Sequence, residues 1–145
     1  MNKTFTLNEA QTLLPVVGSL FRRAKESADR AHQHEFEMQQ LSQRIYLAGG
    51  MHVDVVAAAR RRAERDKAAQ SAKDTLAEID EIGVTVQDFD KGLLDFPCQI
   101  DGNTVLLCWK LGEPAITHWH TAGEGSEERK PLDARFHRVD RERLN

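Results

Sequence analysis

Between Leu13 and Ala48 the positions Leu13, Val17, Leu20, Ala24, Ser27, Ala31, His34, Met38, Leu41, Ile45 and Ala48, nearly all small or apolar, follow one another in steps of four and three. That alternation holds one narrow stripe along one side of an α-helix, the seam by which helices pack lengthwise. Gly49-Gly50 interrupts it, because glycine weakens a helix interior. A second stretch, Val53 to Ile82, is rich in alanine and free of proline. Its seam is weaker: Val55 or Val56, Ala59, Ala63, Ala69, Ala72, Leu76 and Ile79. Gly83 stands where a left-handed cap would stop it. Two helices of about 30 residues joined by a glycine pair predict an antiparallel hairpin with arms roughly 45 Å long. If the chain folds back about residue 50, Ile45 faces Val55, Leu41 faces Ala59 and His34 faces Asp66. His34 and Asp66 are then either a buried pair that fixes register or two groups that reach solvent.

Ahead of the seam, Thr6 and Glu9 fit a capping box. Pro15 removes a backbone donor and clashes one turn back. It predicts a short first helix over Leu7 to Leu13 and then a break.

After Gly83 the period changes from 3.6 to 2. Val84 and Val86 alternate with polar residues, and a turn follows to Gly92. Leu93 to Ile100 is extended but contains Pro97, which predicts an edge strand. Asp101-Gly102 between two apolar runs is a hairpin signal. Thr104 to Lys110 has the composition of a central strand, and Ala115 to His120 is the next. The fold class expected is α+β: a long antiparallel helical hairpin packed on an antiparallel β-meander of three to four strands. One domain is expected over residues 1–145, with a helical part (1–82), a β part (83–132) and a tail (133–145). The loop Thr121 to Lys130 is polar, with Pro131-Leu132 pinning the chain back, and the tail fits one helical turn around Phe136 and Val139 or a mobile end.

The set FTLNEAQTLLP, GLLDFP, the Asp-Gly hairpin, LCWKLGEP and THWH, together with the long helical hairpin, resembles the bacterial family known as domain of unknown function 2203. The resemblance spans Phe5 to Leu132. It implies no activity, since the family's name records none. The family's pattern closes with a glycine before Arg-x-Pro-Leu; here Glu128 precedes Arg129-Lys130-Pro131-Leu132.

Composition narrows the function classes. The 145-residue chain is 30% charged with a formal charge of −3, and acids and bases are intermixed. No basic stripe speaks for nucleic acid, and Arg60-Arg61-Arg62, followed by Glu64 and Asp66, reads as a solvated helix face. MNKTFTLNEA lacks an apolar signal core, and Leu13 to Phe21 is far short of the roughly 20 residues of a membrane span. The protein is therefore expected in the cytoplasm, with no membrane partner and with Cys98 and Cys108 reduced unless a metal holds them. Phe36 and Tyr46 lie off the seam; a homodimer of two hairpins would give them a surface.

The candidate site lies on the strands. His118 and His120 share one face and Trp119 takes the other. If residues facing across the Gly112-Glu113-Pro114 turn sum to an even number, Cys108 joins the histidines. Cys108, His118 and His120, with Glu113 or Asp95, are then a ligand set for zinc or iron. The plainer alternative makes Cys108 a small core residue and the histidines half-buried strand residues. Cys108 with His118 as nucleophile and base lacks an evident orienting group. Asp90 and Asp95 fit turn-capping roles. Trp109 and Trp119 fit core anchors. The expected function is a non-enzymatic assembly or partner-binding module, dimeric through its hairpin. The alternative is a metal- or small-ligand-binding protein, enzymatic or not, built on Cys108, His118, His120 and Glu113.

Overall fold

The computed structural model describes residues 3–47, 49 and 55–144. Ala48, Gly50 and Val53, on which part of the expected helix break and seam rests, lie outside them. The fold is α+β. It contains the long helices α1 (Leu7–Leu47) and α2 (Val55–Ile82) and a five-stranded antiparallel sheet. The strands β1 (Thr85–Asp88), β2 (Leu93–Ile100), β3 (Asn103–Lys110), β4 (His118–Thr121) and β5 (Lys130–Pro131) lie side by side in chain order, and α3 (Ala134–Leu144) follows. Five strands replace the expected three to four because Lys130–Pro131 pairs with Trp119 and His118. Two residues, one of them proline, leave no alternation to read.

Contacts group the chain into two compact units, Met1–Leu20 with Glu78–Asn145, and Phe21–Ala77. In the first, the capping box forms in both directions. Glu9 N donates to Thr6 Oγ1 at 3.1 Å and Thr6 N donates to Glu9 Oε1 at 2.9 Å. Pro15 does not break α1. It is exposed, so the carbonyl it leaves without a donor lies on the side where water can reach it. At the far end of α2, Gly83 takes φ 107°. Gly83 N donates to Asp80 O and Val84 N to Ile79 O, the two bonds of a Schellman cap.

Asp101 (φ 51°) and Gly102 (φ 80°) form the hairpin turn with two positive φ values that matches strand twist. Ile100 then pairs with Asn103, and the ladder runs without a slip to Leu93 opposite Lys110. β2 is interior, not the expected edge. Its partner β1 pairs only with Leu93, Leu94 and Asp95, so Pro97 lies beyond β1's reach. The Pro97 carbonyl accepts from Phe5 N at 2.7 Å on that side, so the missing N–H deprives no strand of a bond.

One sheet face is the core: Leu94, Phe96, Cys98, Ile100, Val105, Leu107 and Trp109 are all buried. Phe5 meets Phe96 edge-on at 5.9 Å, and Phe136 of α3 meets Trp119 at 5.7 Å. The tail is thus a three-turn helix anchored by Phe136, which is fully buried. Trp109 is the expected anchor, donating to Glu113 O at 2.9 Å; Trp119 is half-buried, with Lys130 Nζ 4.8 Å over its ring.

In the second unit the hairpin pairing is explicit. Ser27 bonds Ser71 at 3.1 Å, Arg65 bonds Glu35 at 2.6 Å, and Arg61 pairs with Glu37. These pairs centre on residue 49 or 50, as a fold-back there requires. The second half of the expected α2 seam, Ala69, Ala72, Leu76 and Ile79, is buried or half-buried, but the first half differs: Ala58, Arg61 and Arg65 are the less exposed positions there, while Val55, Val56, Ala59 and Ala63 are exposed. Counting apolar residues misses that stripe because two arginines occupy it, each meeting a glutamate of α1. Asp66 bonds Arg65 at 3.1 Å rather than His34, and His34 Nδ1 is buried without a hydrogen-bond partner.

A methyl group at Gly83 would lie 3.1 Å from Lys3 Cβ and 3.3 Å from Phe5 Cζ, at a φ that side chains rarely adopt. Gly83→Ala is expected to cost about 2 kcal/mol in urea unfolding; a loss under about 0.5 kcal/mol would show that the cap is not held in this geometry.

Candidate metal centre

Strand alternation gives the second sheet face to Asp95, Pro97, Leu106, Cys108, His118 and His120. The Asp101-Gly102 turn sets Asp95 opposite Cys108, and across the next turn Cys108 pairs with His118 and Leu106 with His120. The register is even, so thiol and histidines share a face. Three of these polar groups are as buried as the core: Asp95 is 3% exposed and Cys108 and His120 1% each. Burying such groups costs free energy unless each is partnered.

The partners are specific. His120 Nε2 lies 3.0 Å from Asp95 Oδ1, reaching diagonally across β3, and Nδ1 lies 2.8 Å from Thr121 O. A carbonyl only accepts, so Nδ1 carries a proton and donates it. One further proton must then sit between Nε2 and Asp95, on one atom or the other. Burial pushes the Asp95 carboxyl up from its ordinary range, and its bond and charge interaction with His120 oppose that. The Cys108 thiol is likewise pushed up, first by burial and then by the Asp95 charge. The Arg129 guanidinium opposes this and pulls it down. The ligand atoms of Asp95, Cys108 and His120 all lie within 4.8 Å of one another.

The cover over this face is the segment 122–129. β4 and β5 are neighbours that a tight turn could join, yet the connection contains a 3-10 turn, Ser126–Glu128, and travels toward the opposite edge. There Gly125, Glu127 and Glu128 line a cleft of about 340 Å³ with Gln87, Asp88 and Lys91. The strap is pinned where it leaves β4. Glu124 Oε1 accepts from Thr121 N at 3.1 Å, Thr121 Oγ1 at 2.8 Å and Lys130 Nζ at 3.0 Å.

Of the residues expected from sequence, Cys108 and His120 meet, with Asp95 as their carboxylate. His118 is in the Cys108 row but half-exposed, its Nδ1 2.8 Å from Thr117 Oγ1. Glu113 turns its carboxylate to Lys110 N at 2.7 Å and stands 3.8 Å from Arg129. Among the described residues, these two lie outside the cluster. Asp95 does not cap a turn, and hairpin arithmetic finds its place: a two-residue turn at Asp101-Gly102 pairs residue 95 with 108. Arg129 had no signal of its own beyond the closing Arg-x-Pro-Leu.

A small α+β protein with a buried thiol, imidazole and carboxylate on the strap-covered face of its sheet is what the fold and cluster define. The family model described as an uncharacterized conserved protein, DUF2203, matches residues 3–132, and the chain belongs to that family. No curated protein and no solved structure matches it.

The clasp has a pH signature. Bonds from Lys130 and Thr121 lower the Glu124 carboxyl to about 2. A depressed carboxylate adds stability above its unfolded value that is lost as pH falls through the folded one. The clasp's contribution is therefore expected to be complete above the ordinary glutamate value of 4.5 and to be lost as pH falls from there to about 2. Carboxyl-carbon NMR is expected to place the Glu124 midpoint there; a midpoint at an ordinary glutamate value would show the clasp open in solution.

Proposed function

We propose that the protein binds one divalent transition-metal ion, zinc or ferrous iron, through Asp95, Cys108 and His120. The observation that carries this is the His120 ring. Its Nδ1–H is spent on the Thr121 carbonyl, which turns Nε2 toward Asp95 and Cys108. Ligating histidines are held in this way, by a bond from the far nitrogen to a carbonyl or carboxylate. Ligand bonds of about 2.0 to 2.3 Å in a tetrahedron bring donor atoms roughly 3.3 to 3.8 Å apart, so the present cluster needs only a small contraction. The ion would replace the proton shared by Asp95 and His120 and that of the thiol. Three protein ligands leave a fourth position open, as catalytic zinc does.

Protein purified without added metal or chelator is expected to carry close to one equivalent of zinc or iron by mass spectrometry. The Cys108→Ser/His120→Ala double variant should carry none. Asp95→Asn keeps a donor for Nε2, so it should lose the ion while its stability stays within about 1 kcal/mol of the metal-free wild type. A wild-type protein that holds no ion and takes up neither metal anaerobically would sink this reading.

A second reading is assembly into a homodimer through the hairpin, as a partner-binding module. Tyr46 (85% exposed), Leu47 (82%), Val55 (69%) and Val56 (66%) support it, all near the helix ends that face the turn. Apolar surface of this kind is often an interaction site. We place the protein in the bacterial cytoplasm, which suits two cysteines that remain thiols. No helix among the described residues is long and apolar enough to cross a membrane. Arg61 is committed to Glu37, which weakens any case for the arginine run as a nucleic-acid surface. Tyr46→Glu with Val56→Glu is expected to turn a dimer into a monomer in analytical ultracentrifugation. A wild-type monomer at about 100 μM, well above typical dimer dissociation constants, would exclude this assembly.

A further inference from the structure

Resting on the metal reading, we propose that His118 closes the fourth position of the centre: its ring turns from Thr117 onto the bound ion and completes a tetrahedral set with Asp95, Cys108 and His120. The ladder of the sheet points there. Cys108 has two cross-strand neighbours on its face, Asp95 on β2 and His118 on β4, and the β-carbons of such partners stand about 5 Å apart. Its neighbours along β3 on that face, Leu106 and Lys110, bring an alkyl group and a cation. Register therefore gives the thiol two ligand-bearing neighbours, one on each side. Asp95 already stands in the cluster. His118 is the other, and it also lies two residues from His120 on the same face of β4.

The ring is free to make the move. It lies outside the cluster, half-exposed, with Nδ1 2.8 Å from Thr117 Oγ1. That bond is exposed, so water takes it over when the ring turns. Among the described residues His118 Nε2 has no partner, which leaves it for an ion. Charge favours an imidazole over another acid. Asp95 and Cys108 as anions neutralise a dication, and His120 adds no charge. A third anion would bury a net charge; a neutral imidazole does not, and it suits both zinc and iron. Glu113, the carboxylate expected from sequence, would be that third anion, and it already accepts Lys110 N at 2.7 Å. As the half-exposed member of the set, His118 is also the ligand that an incoming molecule would displace.

The test uses the full chain loaded with cobalt(II). Its visible bands report coordination number, and X-ray absorption fine structure counts the imidazoles on the ion. The wild type is expected to show intense four-coordinate bands and two imidazoles per ion. His118→Ala should keep one imidazole and bind cobalt at least about tenfold more weakly, and free imidazole should restore the wild-type bands. Thr117→Ala removes the bond that the ring gives up, so it should keep both imidazoles and tighten cobalt about threefold. One imidazole in the wild type, or His118→Ala protein with unchanged bands and affinity, would overturn this inference and leave the metal reading standing. Failure of the wild type to bind cobalt at all would remove both. Should His118→Ala not fold, the imidazole count in the wild type decides by itself.

Discussion

The pairing of β2 with β3 is the constraint on which the polar cluster depends. Asp101 and Gly102, both at positive φ, close a two-residue turn, and a two-residue turn permits one register. Asp95 is thereby placed opposite Cys108, and β4 brings His120 within reach of both. A slip of one residue on β2 would send Asp95 into the core face beside Leu107 and Trp109 of β3, and turn Leu94 and Phe96 out of it. The hairpin turn, well away from the cluster, thus decides which groups can meet.

Meeting is not sufficient; the groups must also be removed from water. Antiparallel sheets of this size commonly leave one face solvated, and the alternation of β3 and β4 follows that pattern. Here the long β4–β5 connection returns over the polar face. It converts three groups that water would satisfy into three that must satisfy one another. The raised Asp95 and Cys108 values both have burial as their first cause. The core face and the covered face are therefore built on different principles, one by apolar packing and the other by a hydrogen-bonded network over which a polar loop is laid.

Much of this was legible in the residues, and the failures have physical causes. The two long helices, the capping box, the Gly83 cap, the hairpin turn and the shared face of His118 and His120 follow from spacing and local chemistry, whereas Cys108 joins that face in only one of the two registers that spacing leaves open. Pro15 was misread because a proline inside a long helix, with its ring exposed, forgoes one bond that water can replace. Pro97 was misread because an interior strand may be paired along only part of its length. The first half of the α2 seam was hidden by Arg61 and Arg65, since an apolar count cannot register a seam built of charge. Strap and Arg129 were the least legible: no periodicity tells a polar loop that lies over a sheet from one that waves in solvent.

The arginine–glutamate rungs of the hairpin add little to stability, as solvent-screened ion pairs do. Their weight lies in position. Sliding α2 by one heptad along α1 would exchange unlike residues within its stripe, Arg65 taking the place of Ala58 and Ala72 that of Arg65. The same slide would set Arg65 beside Ala28 or Ser42 instead of Glu35, and leave its guanidinium and the glutamate half-covered and unmatched. A seam of alanines alone has no preferred stop along its length. Two ionic rungs at its middle give it a detent, and so fix how far each arm extends past the other.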